Sequence, residues 1–134
     1  MTKPNQLIIE PTQYTPHVLF DVEKSTYTIS GRAMLDGMRE VHKKILEWFD
    51  THIDHIQTTI CINIKLTYID STATKMMSNL MSRLETSYLA GQNIEIRWFY
   101  NINDDDVFTI AENLTKTKKL PIKIIGMCFE DRLI

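Results

Sequence analysis

The sequence predicts an α/β fold: one domain spanning residues 1–134, with a mixed β-sheet, helices mainly on one face and elements in the order βββ-αβ-αβ-αβ. Three observations carry this reading. Short apolar runs punctuated by Pro11, Pro16 and Gly31 come before any helical pattern. Apolar stripes at helical spacing then alternate with period-two strands to the end of the chain. Last, the later strands set polar residues against their apolar ones, namely Asn63, Lys65, Thr67, Glu95 and Arg97, which is the mark of a sheet with one face wet or meeting a partner. Right-handed crossovers then place the helices on the opposite face.

Taken in order, Leu7-Ile8-Ile9 forms a first strand, and Pro11 and Pro16 keep the following segment extended. His17 to Phe20 and Thr26 to Ser30 pair as a hairpin across the polar connection Asp21 to Ser25, and Gly31 ends it. From Leu35 to Ile53 the residues Met38, Val41, Ile45, Trp48, Phe49 and His52 or Ile53 trace a helical stripe. Ile60, Ile62, Ile64, Leu66 and Tyr68 share one face of the next strand. Ala73, Met77, Leu80, Leu84 and Tyr88 give the second helix its inner face, and Gly91 closes it as a C′ residue. Ile94, Ile96, Trp98 and Tyr100 mark a further strand, the loop Asn101 to Asp106 leads into a helix lined by Val107, Ile110, Ala111 and Leu114, and Pro121 begins a last strand, Ile122 to Ile125.

Composition describes an ordinary soluble domain, 43% hydrophobic and 24% charged, large enough for one packed core. No segment reaches the roughly 18–20 apolar residues of a membrane span, and Met1 to Gln6 lacks the apolar core of a signal peptide, so the expected location is the cytoplasm. Cys61 and Cys128 form no CxxC pair and are expected as buried, reduced thiols. A net charge of −2 and a pI near 6.1 exclude a broad nucleic-acid surface. The one basic cluster, Lys116, Lys118 and Lys119, complements a helix C-terminus.

The stretch Leu66 to Lys75 concentrates the chemistry, because there a strand passes into a helix through Asp70, Ser71 and Thr72 without glycine or proline. Each of these side chains can cap the orphan amides of a first helical turn. A hydroxyl in that position can also carry a phosphate, which the amides and helix dipole stabilise. A small ligand-binding domain or enzyme using Asp70 to Thr72 as an anion pocket is the alternative, although no GxxxxGK[ST] or GxGxxG loop supports it. His52 and His55 read as surface imidazoles, and Asp104, Asp105 and Asp106 as helix cap and dipole partners. No metal and no cofactor is assigned. Met76, Met77 and Met81 are mainly core residues; Met76, expected to be the most exposed, and Asn79 are candidate partner contacts.

Ile8 to Asp21, with its Glu-Pro-Thr-x-Tyr-Thr-Pro core, Ile29 to Arg32, the Trp48 helix, Tyr68 to Lys75, and Trp98 to Tyr100 followed by Asp104 to Asp106 and Leu120-Pro121 resemble the SiaC-type regulatory phosphoprotein family almost end to end. The resemblance implies a fold related to the STAS-domain anti-anti-sigma factors, whose Asp-Ser strand-to-helix turn is phosphorylated. It implies a non-enzymatic bacterial signalling protein that switches partners. In the family a threonine is phosphorylated by a dedicated serine/threonine kinase and freed by a PP2C-type phosphatase. The unphosphorylated form engages a diguanylate cyclase, and so c-di-GMP signalling and biofilm control. The matching acceptor is Ser71, with Thr72 the runner-up, and Asp70 stands where the family often has asparagine. Tyr68, Asp70, Thr72, Thr74 and Lys75 make up the implied switch region.

Overall fold

Antiparallel pairing begins the sheet and parallel pairing completes it, a change set by which connections are short. The computed structural model describes residues 5–128, apart from the side chains of Leu35 and Asp36. Met1 to Pro4, part of the segment in which no signal-peptide core was read, lie outside them. Strands β1 (Gln6–Ile9), β2 (His17–Asp21) and β3 (Thr26–Ala33) are joined by short loops and pair antiparallel. Helices α1 (Leu35–His52, extended by a 3₁₀ turn at Ile53–His55), α2 (Ser71–Leu89) and α3 (Asp105–Thr115) then separate β3, β4 (Ile60–Ile69), β5 (Ile94–Asn101) and β6 (Ile122–Met127), which pair parallel. The spatial order β1-β2-β3-β4-β5-β6 repeats the chain order. The predicted βββ-αβ-αβ-αβ arrangement is therefore the observed one.

Period-two alternation fills one face of the sheet. Val18, Phe20, Tyr27, Ile29, Ile60, Ile62, Ile64, Leu66, Ile94, Ile96 and Trp98 are buried there. Above them lie Met38, Val41, Ile45, Trp48 and Phe49 of α1, Ala73, Met77, Leu80, Met81 and Leu84 of α2, and Val107 and Ala111 of α3. Each large side chain so buried contributes about 1.5–3 kcal/mol before chain entropy is counted. The other face carries Thr28, Ser30, Asn63, Lys65 and Arg97, half-buried or exposed, as their polar character predicts.

Several expectations are corrected. Gly31 does not end its strand: β3 continues to Ala33 through Gly31 at φ +116°, a conformation that glycine adopts without steric cost. Just beyond, the register steps from Gly31 opposite Leu66 to Arg32 opposite Tyr68, leaving Thr67 as the extra residue of a bulge, its hydroxyl donating to the Gly31 carbonyl at 3.2 Å. The bulge inverts the alternation, so Tyr68 is 44% exposed and Ile69 is buried in its place. Cys61 is half-buried and Cys128 exposed, so neither is the buried thiol expected. His52 is not a surface imidazole. Its ring stacks on Trp48 at 4.6 Å, and Nδ1 lies 3.0 Å from the Trp48 carbonyl oxygen.

Candidate functional site

The junction between β4 and α2 is built around Asp70. Its backbone is extended (φ −93°, ψ 179°), which turns the carboxylate back over the helix start. Oδ1 accepts from the Ala73 amide at 2.9 Å, and the Asp70 carbonyl accepts from the Thr74 amide at 2.9 Å and the Thr74 hydroxyl at 2.8 Å. The Asp70 amide donates to the Ala33 carbonyl at 3.2 Å, tying the junction to the end of β3. Of the three capping candidates, Asp70 is thus the cap. Ser71 follows as the first helical residue and is exposed, while Thr72 is half-buried and Ala73 fully buried. The Ser71 hydroxyl is thereby left at the surface beside the first amides of the helix, where the dipole favours an anion.

The helix sets the other predicted residues around it. Ser71, Lys75 and Asn79 recur every four residues, all exposed, and form one stripe. Thr72 and Met76, half-buried at the same spacing, flank it. Met76 is the most exposed of its methionine cluster, since Met77 and Met81 are buried, yet it still packs against the core. Thr74 points elsewhere, its hydroxyl held by the Asp70 carbonyl.

Arg32 is the contributor that sequence reasoning did not single out. Its guanidinium lies 5.7 Å from the centre of the Tyr68 ring, within cation–π range. The contact depends on the Thr67 bulge turning Tyr68 outward, and periodicity carries no signal of that. Next to Tyr68, a cavity of about 500 Å³ opens between the end of β4 and the start of α3, lined by Thr67, Tyr68, Ile69, Asp104, Asp106 and Ile110 among others. Asp104 caps α3, its Oδ1 accepting from the Val107 amide at 3.0 Å, and Asp105 and Asp106 occupy the first turn, as the capping reading expects. Two carboxylates on its wall make this cavity a poor seat for an anion.

The basic cluster is spread out: Lys116 caps the end of α3, the Lys118 ammonium donates to the Ser82 hydroxyl at 2.9 Å, and the Lys119 amide donates to the Glu85 carboxylate. Among the described residues no group of three or more His, Cys, Asp or Glu is arranged to hold a metal, and no helix is long and apolar enough to cross a membrane.

Comparison with known proteins follows the same outline. Residues 9–127 match the family model described as the SiaC family regulatory phosphoprotein. An uncharacterized protein of Pseudomonas aeruginosa is 22% identical over 120 residues, which cover 90% of this chain and 95% of that one. The crystal structure of apo-SiaC from Pseudomonas aeruginosa superposes with a TM-score of 0.82 at 21% identity, covering 90% of this chain and 98% of that one. A crystal structure of the diguanylate cyclase SiaD in complex with its activator SiaC, from the same organism, gives 0.83 at 21% identity, covering 90% and 99%. At these identities the structural likeness speaks for the fold.

Proposed function

Because the chain belongs to the SiaC family of regulatory phosphoproteins, we propose that it is a non-enzymatic switch whose partner is chosen by phosphate at Ser71. A serine/threonine kinase adds the phosphate, a PP2C-type phosphatase removes it, and the unphosphorylated protein binds and activates a diguanylate cyclase in the cytoplasm. The related SiaC stands as the activator of such an enzyme, which supports the choice of target. The single observation behind the site is the division of labour at the junction: Asp70 caps the helix and Ser71, next to it, is exposed. A residue with no capping duty can be modified without unravelling the turn.

Phosphate adds about −1.5 to −2 charges and three acceptor oxygens. At Ser71 it meets the helix amides, which hold it, and the neighbouring Asp70 carboxylate, which sharpens the negative potential at one surface point. It also stands at the head of the Ser71, Lys75 and Asn79 stripe with Met76 on its flank, so a partner seated there loses contact when the charge appears.

Intact-mass analysis of the protein from its native cell, with site mapping, tests the assignment. One phosphate is expected, at Ser71, and Ser71→Ala abolishes it; phosphate that survives Ser71→Ala and vanishes in Thr72→Ala moves the site. Calorimetric titration of the cyclase should show Ser71→Ala binding as the unmodified protein does and the phosphoprotein binding at least about tenfold more weakly. Equal affinities would overturn the switch.

A further inference from the structure

The uncovered face of the sheet concentrates positive charge in a chain whose net charge is −2. One row across it reads Thr28, Asn63, Arg97 and Lys123, and the next reads Ser30, Lys65, Phe99 and Ile125, each residue level with its neighbour on the adjoining strand. Residues in register on parallel strands face the same side, about 4.8 Å apart between strands. Arg97 is therefore set directly beside Lys123, with Lys65 one row away, and all three are exposed. Like charges placed opposite each other in a sheet repel, and that repulsion is relieved when an anion sits between them. Glu95, an acid on this face, takes one Arg97 nitrogen at 3.1 Å, leaving the other guanidinium donors and both ammonium groups uncompensated by it.

These residues surround a real concavity. Thr28, Ser30, Asn63, Lys65, Arg97 and Phe99 line a depression of about 390 Å³ in the middle of the face, a volume in the range of small-ligand sites. Among the described residues its wall holds two hydroxyls, an amide, two cations, one aromatic ring and Ile29, and no carboxylate. The Lys65 ammonium lies 5.2 Å from the Phe99 ring centre, so charge and π-surface are side by side.

We propose that this depression binds a nucleoside phosphate, the phosphate held by Lys65 and Arg97 with Lys123 at its margin, and the base set against Phe99. Charged donors and hydroxyls suit phosphate oxygens, and a lone aromatic ring on an open sheet suits one base. Three cations are too few for a polymer, whose affinity rests on many phosphate contacts and which the net negative chain repels. The site lies on the face opposite the helices and is independent of the Ser71 switch, so either can fail without the other.

Full-length ¹⁵N-labelled protein titrated separately with AMP, GMP, guanosine, inorganic pyrophosphate and a single-stranded RNA oligomer tests this. A mononucleotide should move the amides of residues 28, 30, 63, 97 and 99, binding more tightly than guanosine or pyrophosphate. Lys65→Ala and Arg97→Ala, both at exposed positions, should each weaken it by about tenfold or more, with Arg97→Lys recovering part. Phe99→Leu should erase the advantage of nucleotide over pyrophosphate. No shift with either nucleotide at millimolar concentration, affinity indifferent to Lys65 and Arg97, or RNA binding that grows with oligomer length would overturn the proposal.

Discussion

At Asp70 a single carboxylate oxygen caps the start of α2, and its neighbour Ser71 is exposed, the capping role already filled. Asp70→Ala should therefore cost about 0.5–2 kcal/mol of stability, whereas Ser71→Ala should stay within about 0.5 kcal/mol of the parent, both read from urea unfolding midpoints. The reverse order would make the Ser71 hydroxyl the cap. Tyr27 offers a different test, since its hydroxyl is buried without a hydrogen-bond partner among the described residues. Tyr27→Phe should fall within about 1 kcal/mol of neutral or stabilise the protein, because it removes a desolvated donor and keeps the ring. Sequence alone confined the cap to three residues. Choosing among them required ψ at Asp70 and the reach of one oxygen, quantities that residue type does not encode.

Among the elements, α1 carries a titratable group on its packed side. Burial of His42 pushes its imidazole below the ordinary value of 6.5, so the folded protein prefers it neutral while the unfolded chain takes up a proton near 6.5. The unfolded state then binds more protons as pH falls, and this stabilisation, complete above 6.5, is lost on acidification through the folded value. Thermal midpoints should drop between pH 7.5 and 5.5, and His42→Gln should flatten that slope; an unchanged slope would assign the effect to other groups. Asp21 acts lower on the scale. The hydrogen bond from the Gln6 side chain holds its carboxyl below 3.8 against the opposing effect of burial, so its contribution is present above 3.8 and lost in stronger acid. The strands show where element-level reading stops. Alternation placed the inner face from Ile60 to Leu66 correctly, and one inserted residue, Thr67, reversed the side on which Tyr68 emerges. A bulge depends on the register of the neighbouring strand and has no local periodic signature.

Over the whole molecule, the polar partners on β4 and β5 announced the uncovered face, and the repeated helix-to-strand order, read with right-handed crossovers, left little freedom in topology. Arg32 beside Tyr68, and Asp104 and Asp106 on the wall of the cavity that Tyr68 also lines, come from distant stretches of chain that only the assembled sheet brings together. Because the proposed phosphate lands on a turn already capped, the phosphoprotein should keep its architecture. Amide spectra of the two forms should differ around residues 68–79 and the adjoining starts of α1 and α3, and coincide elsewhere. Changes spread through β1 and β2 would mean that the domain refolds when modified.

The coincidence of strand order and chain order also bears on how the protein is made. As the nascent chain leaves the ribosome, at about 5–20 residues per second, each new strand finds its seat at the edge formed just before it, and no strand must be inserted between two that are already joined. An incomplete sheet of this kind always offers one growing edge, open to the next strand and equally to a foreign one. Synthesis stalled after β5 would leave the hydrogen-bonding groups on the side of that strand away from β4 unpaired until β6 arrives. The edge at β6, with Pro121 at its entry and Lys123 along it, carries two residue types that discourage the addition of a foreign strand.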